Sequence, residues 1–340
     1  MNNLNKKVVK IICDFTQFDP NIPFFKKSNK GHGTGFFINN KGLILTCSHV
    51  IKDATNVIIS IYNNENYYKA KILGMCIELD IALLQIDYNS KDYLKFGNSK
   101  NLKLGDEVYA VGYPGTYTKN TQLKFNKGII SGSIGENIMT DTPINSGNSG
   151  GPLILKNKVI GINIASLKQK QNMNIAVPIH LFQNLKKTFL SKDIMIPKPF
   201  LPLCFNSTNL ELSPPIEGVY IYNNMELIKI PSNSLLTKID NYNIDNSGTI
   251  NLKWFNNRTS IQNYVLQKPY NSIIKLQYYD LNTNKKHTIN YKLKPLYLTI
   301  RELNPIFENI NYTIIGGGIF QELNLNFIKQ NEVFMIKFMN

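Results

Sequence analysis

The 340 residues include 43% apolar and 18% charged side chains, ordinary for a folded protein with room for two or three domains. The formal net charge is +15, yet the lysines are scattered in pairs such as Lys26-Lys27, Lys186-Lys187 and Lys285-Lys286. No zinc-ligand spacing or RNP-like aromatic motif accompanies them, which argues against nucleic acid as the partner.

In chain order, residues 1–30 form an amino-terminal segment whose apolar run is too short for a secretory leader. No stretch approaches the ~18 apolar residues of a membrane span. The cysteines Cys13, Cys47, Cys76 and Cys204 lie far apart with no CxxC pair. The expectation is a soluble intracellular protein of a reducing compartment, cytoplasm or nucleus, with no membrane partner. Up to about residue 180, short apolar strands alternate with Gly, Asn and Pro turns: 8–15, 35–38, 42–46, 56–62, 69–74, 81–86, 107–111, 127–131, 152–155 and 158–164. That pattern predicts a β-barrel or sandwich. A helix follows at 179–190, with Leu181, Phe182, Leu185 and Phe189 on one face. Prolines at 197, 199 and 202 place a linker at 191–199. A second β-rich unit occupies 200–296, with strands at 219–222, 239–242, 273–279 and 287–293 and a short helix at 260–266. Residues 297–340 open a further, incomplete unit around Gly316-Gly317-Gly318.

The stretch 139–155, MTDTPINSGNSGGPLIL, sets Gly147, Gly150 and Gly151 around Ser149. Glycine costs roughly 0.5–1 kcal/mol relative to alanine in regular structure, so this density marks backbone that a Cβ would obstruct. The stretch alone allows two readings. One is a tight turn between strands. The other is a nucleophile whose neighbouring N–H groups point at a developing oxyanion. A serine nucleophile needs a base, and the base an orienting carboxylate. Of the four histidines, His32, His49, His180 and His287, only His49 sits at the end of an apolar strand, beside the small Cys47 and Ser48. A structural histidine is the alternative. Asp80, directly before the apolar strand 81–86, is the candidate carboxylate ahead of Asp87, with a solvent-facing cap as the alternative.

The order His49, Asp80, Ser149 comes with a set of flanking motifs. They are GTGFFINNKGLILTCSHV (33–50), ELDIALLQID (78–87), LKLGDEVYAVGYPG (102–115), KGIISG (127–132), TDTPINSGNSGGPLI (140–154), VIGINIASLK (159–168) and NIAVPI (174–179). Together they resemble the HtrA/Deg family of trypsin-like serine proteases over the whole first domain. The second half resembles the plant- and fungal-type Deg branch, through DNYNIDNSGTI (240–250) and YTIIGGGIFQEL (312–323).

The resemblance implies a mainly β fold: a trypsin-like double β-barrel protease domain at 31–190, a PDZ domain at 200–296 and a truncated second PDZ-like segment. It implies a catalytic triad of His49, Asp80 and Ser149, with oxyanion donors from Gly147, Asn148 and Ser149. The P1 pocket would be walled by Ile144, Ile164 and Leu167. With no acid at its base it should prefer aliphatic residues, with plain core packing the lesser alternative for Ile144. No cofactor or metal is implied. Substrates would be unfolded or damaged proteins or peptides, cleaved without ATP, by a homo-oligomer (a trimer or a multiple of it) for whose packing Phe15, Phe18, Phe24 and Phe25 are available, with a place in the core the equal alternative. The alternative is a resting, peptide-binding scaffold. The PDZ carboxylate-binding turn would fall at 200–203, where Pro202 replaces the usual glycine and should weaken binding of peptide carboxyl termini.

Overall fold

A computed structural model describes residues 3–19, 21–115, 122–166, 174–191, 194–196, 199–208, 216–225, 227–252, 257–269, 271–295, 303 and 311–330. A short helix α1 (Leu4–Lys7) leads into β1 (Val8–Asp19), β2 (Ile22–Phe37) and β3 (Leu43–Thr46). One turn of helix, α2 (Ser48–Ile51), is followed by β4 (Ala54–Ser60), β5 (Tyr67–Lys69), β6 (Lys71–Cys76) and β7 (Ile81–Gln85). Among the described residues these make a sheet of order β5-β4-β1-β2-β3-β7-β6. The sequence IALLQ of β7 is buried at its first four positions, as a strand covered on both faces must be.

The amino-terminal segment, expected as an arm outside the protease domain, instead supplies a central strand. Val8, Val9, Ile11 and Cys13 of β1 are fully buried, and β1 pairs with both β2 and β4. Near the end of the β1–β2 hairpin, Phe24 and Phe25 stand more than half exposed. Phe15 packs on the core, and the Phe18 side chain lies outside the described ones.

The next six strands are β8 (Glu107–Gly112), β9 (Lys124–Ile134), β10 (Asn137–Thr140), β11 (Pro152–Leu155), β12 (Lys158–Ser166) and β13 (Asn174–Pro178). They close into a barrel of order β10-β13-β12-β11-β8-β9. Its own core holds Val108, Ile130, Ile138, Leu153 and Ile160. Val111, Ile154, Val159, Ile162 and Val177 instead join the first sheet's core around Phe36, Leu45 and Leu83. The two halves therefore share continuous apolar packing, and the groove between them rests on it. Helix α3 (Ile179–Phe189) buries Ile179, Leu181, Phe182, Leu185 and Phe189 against the same core. Lys186 and Lys187 in its last turn complement the helix dipole.

The expected linker is partly docked. Met75 N–H donates to the Ile194 carbonyl at 2.7 Å and Ile196 N–H to the Met75 carbonyl at 2.8 Å, and Ile196 is buried.

The second unit comprises β14 (Pro199–Phe200), β15 (Cys204–Asn206), β16 (Val219–Asn223), β17 (Ser234–Ile239), β18 (Tyr242–Asn243), β19 (Thr249–Leu252), β20 (Asn257–Ser260), α4 (Ile261–Leu266), β21 (Ile273–Asp280), β22 (Lys285–Lys292) and β23 (Lys294–Pro295). Its sheet runs β15-β16-β17-β21-β22 over a core of Val219, Ile221, Leu236, Ile261, Val265 and Leu276. Asn184 on α3 donates to the Gln267 carbonyl at 2.9 Å, fastening this unit to the first. A hairpin, β24 (Tyr312–Ile315) and β25 (Gly318–Gln321), and helix α5 (Leu325–Gln330) follow. Among the described residues no helix is long and apolar enough to cross a membrane.

Candidate active site

The first sheet supplies His49 and Asp80. β3 ends at Thr46, and α2 begins two residues later, which brings His49 to the rim of the groove with its side chain 44% exposed. Asp80 closes the turn before β7 in the left-handed region, at φ 54°, a conformation that aspartate tolerates better than most residues. Its carboxylate folds back onto α2. Oδ1 accepts from Ser48 Oγ and from the His49 N–H, each at 2.9 Å, and Oδ2 lies 2.6 Å from His49 Nδ1. A carboxylate only accepts, so Nδ1 carries the shared proton and Nε2 of the neutral ring is left as an acceptor.

The second barrel supplies Ser149, on the turn between β10 and β11. Gly147 has φ 96° and Gly150 φ 84°. A Cβ on Gly147 would overlap the Tyr113 carbonyl, and one on Gly150 the Thr34 carbonyl and Thr46 Oγ1. The glycine cluster thus answers both to left-handed turns and to close backbone approach. Thr34 on β2, fully buried, clamps the turn. Its N–H donates to the Ser149 carbonyl at 2.9 Å and its hydroxyl to the Gly147 carbonyl at 2.6 Å. The same hydroxyl accepts from Tyr113 N–H at 2.9 Å, and the Thr34 carbonyl accepts from Thr46 Oγ1 at 2.8 Å. The Asn163 carbonyl accepts from both Gly150 N–H (2.8 Å) and Cys47 Sγ (3.3 Å). One carbonyl therefore joins the neighbours of Ser149 to those of His49.

Three details depart from expectation. The Ser149 hydroxyl donates to the Ile164 carbonyl in a short hydrogen bond rather than to His49. Asn148, expected as an oxyanion donor, uses its N–H on the Asn145 carbonyl at 3.0 Å. Among the described residues no hydrogen bond occupies the N–H of Gly147 or Ser149. Ile144, expected as a pocket wall, packs in the second barrel's core at 4% exposure. Ile164 is half-buried at the groove, and Leu167 lies outside the described residues.

Sequence reasoning did not anticipate the pairing of Ser99 with His180. Ser99 Oγ lies 2.8 Å from His180 Nδ1 and accepts from the His180 N–H at 3.1 Å. The Ser99 hydroxyl is sealed from solvent, and burial, with Lys100 second, lowers the His180 pKa to about 4. This neutral pair fastens the start of α3. Cys47 is likewise no rival nucleophile, since complete burial, with Asp80 adding to it, raises its thiol pKa well above the ordinary value.

Residues 33–162 match the family model described as Trypsin-like peptidase domain. A protein named a periplasmic DegP-like serine endoprotease, of Pseudomonas putida, is 31% identical over 216 residues, covering 58% of this chain and 44% of its own. Protease Do-like 13 of Arabidopsis thaliana is 27% identical over 333 residues, 89% of this chain and 65% of its own. Residues 33–162 are thus a trypsin-like peptidase domain, and the chain is similar to HtrA/Deg serine proteases. The solved HtrA-type protease AlgW, with a decapeptide, superposes over 86% of this chain and 97% of its own at TM-score 0.65 and 20% identity, a likeness of fold.

The chain spans less than half the length of the Pseudomonas relative. The expectation of a cytoplasmic or nuclear protein is corrected here, because that relative and others like it are by name periplasmic. The inference from cysteines failed for a physical reason. All four are free and Cys13, Cys47 and Cys76 are buried, and a buried thiol without a partner in reach is stable in either compartment.

Proposed function

We propose that this chain is a serine endopeptidase that cleaves unfolded or damaged polypeptides through Ser149, His49 and Asp80. The observation that carries the reading is the Asp80 carboxylate, which holds both the backbone and Nδ1 of His49 and leaves Nε2 as the ring's acceptor. The hydroxyl of Ser149 turns from the Ile164 carbonyl to His49 Nε2 and gives up its proton as Oγ attacks the scissile carbonyl carbon. The carbonyl oxygen becomes an oxyanion, received by the N–H groups of Gly147 and Ser149, and Asp80 stabilises the imidazolium. His49 then protonates the leaving amine, and water repeats the sequence on the acyl-enzyme. The groove offers the half-buried Ile164 beside the nucleophile, which supports a preference for aliphatic P1 residues. The second unit, with helix α4 beside its sheet, is read as a PDZ domain, and the exposed Phe24 and Phe25 support a homo-oligomer.

The resting hydrogen bond from Ser149 to Ile164 favours a second reading, a scaffold that keeps these residues without turnover. Labelling with a serine-directed fluorophosphonate, beside casein cleavage, decides between them. The protease reading expects labelling and cleavage in the wild-type chain, with a loss of about 10⁶ in kcat for Ser149→Ala. Absence of both in the folded wild-type chain supports the scaffold.

A further inference from the structure

Cys47, His49 and Asp80 do more than adjoin one another. Their ligand atoms, one sulfur, one imidazole nitrogen and one carboxylate oxygen, all lie within 4.8 Å of each other, the one such group among the described residues. We propose that these three side chains form an inhibitory site for a soft divalent cation of the zinc class. Only the inhibitory effect rests on the protease reading, since the donor set stands on its own geometry.

Zinc takes thiolate at about 2.3 Å and imidazole nitrogen or carboxylate oxygen at about 2.0–2.2 Å. A sulfur and nitrogen donor set selects zinc or cadmium over magnesium and calcium. The His49 and Asp80 atoms are already 2.6 Å apart, so an ion needs that contact to open slightly and Cys47 Sγ to leave the Asn163 carbonyl, 3.3 Å away. Exposure of the His49 side chain gives the ion a way in from the groove. A fourth position stays open for water, as in zinc sites with three protein ligands.

The consequence for His49 follows from proton placement. The ion displaces the Nδ1 proton, which the ring takes up at Nε2. Its charge offsets the burial that otherwise keeps the Cys47 thiol protonated, so the thiol proton is displaced and leaves past the half-exposed His49. Nε2–H cannot accept a proton from Ser149. The site would be switched off by the same tautomer inversion that disables a triad whose aspartate is lost. Cys47 is the residue that makes this possible, because His49 and Asp80 alone offer only two donors.

The test titrates zinc chloride into the full-length chain during casein cleavage, with EDTA added afterwards and each variant normalised to its own metal-free rate. Wild-type activity should fall and return with EDTA. Outer-sphere partners of bound metals are already worth about 10–100-fold in affinity, so Cys47→Ala should raise the half-inhibiting zinc concentration by more than about tenfold. Cys47→Ser serves where the alanine variant folds poorly. Independently of activity, cadmium added to the Ser149→Ala chain should give an ultraviolet thiolate-to-metal absorption that disappears when Cys47 is also replaced. Equal inhibition with and without Cys47, or no absorption, overturns the site. So does a chain that cleaves casein and ignores zinc. A chain that shows the cadmium absorption but neither labels with fluorophosphonate nor cleaves keeps the site and overturns the protease reading instead.

Discussion

Two turns of this chain were expected to offer backbone N–H groups to an oxygen carrying negative charge, and they are built oppositely. At 147–149 the glycine backbone takes a left-handed turn and leaves the N–H groups of Gly147 and Ser149 unspent, with Asn148 N–H absorbed by Asn145. At 200–203 Pro202 has no N–H, and Leu203 N–H is spent on the Leu201 carbonyl at 2.8 Å. Phe200 is tied into a two-stranded ladder with Lys294. An anion site made of backbone needs conformational freedom and donors without internal partners, and only the first turn has both.

The largest expected effect separates the donors from the base they serve. Asp80→Asn leaves 147–149 untouched but reverses the tautomer of His49, and kcat should fall about 10⁴-fold. The residual rate, measured on a chromogenic peptide, then reports what the donors do by themselves. A variant that keeps most of its kcat would move the orienting role to another acid. Gly147→Ala breaks the first turn directly, because its Cβ overlaps the Tyr113 carbonyl and φ 96° strains any other residue. A loss of about 10²–10³ in kcat is expected, with the His49–Asp80 pair intact by its imidazole NMR signals.

Acid inactivation must be separated from loss of fold before either result is read at low pH. The unfolded chain protonates His180 below its ordinary 6.5, while the folded chain resists until about 4. Unfolding is therefore favoured as pH falls through that window, by about 3 kcal/mol when the fall is complete. Urea unfolding between pH 7 and pH 4 (about the span of the shift) should show this slope in the wild type and lack it in His180→Gln. The smallest effect belongs to the second turn. The Ser149→Ala chain should bind peptides with free carboxyl termini no better than amidated ones. Pro202→Gly should return a donor and improve binding of the free termini by about tenfold or more. Micromolar binding by the unmodified turn would abolish the contrast.

Much of this was legible in the sequence where backbone geometry restricts residue type. Gly147 and Gly150 are read from letters because no side chain fits there, and the all-apolar start of β7 because both its faces are covered. The residues around 22–30 were not legible as strand. Lys27, Ser28 and Asn29 pair with Gln17, Thr16 and Phe15, a ladder of backbone bonds that imposes no apolar alternation on an exposed hairpin. Ile144 was ambiguous because one apolar residue before a serine does not say whether it faces groove or core. The hydrogen bonds of Asn148 N–H and of the Ser149 hydroxyl depend on local torsions that the residue letters leave open. Residues 194–196 read as linker because their docking uses main-chain groups on Met75, which every residue but proline possesses.

Thr34 constrains which rearrangements can precede chemistry. Each hydrogen-bonding group of this residue is engaged, and its bonds tie the first sheet to Gly147, Ser149 and Tyr113 on the other side of the groove. Sliding one barrel over the other, a class of motion that runs in microseconds to milliseconds, would have to break those bonds. The Ser149 side chain lies outside that clamp, and a rotamer change at a partly exposed residue takes picoseconds to nanoseconds. On the proposed mechanism the step from resting to reactive serine is then too fast to limit turnover, and slow phases in the kinetics would have their origin elsewhere in the chain.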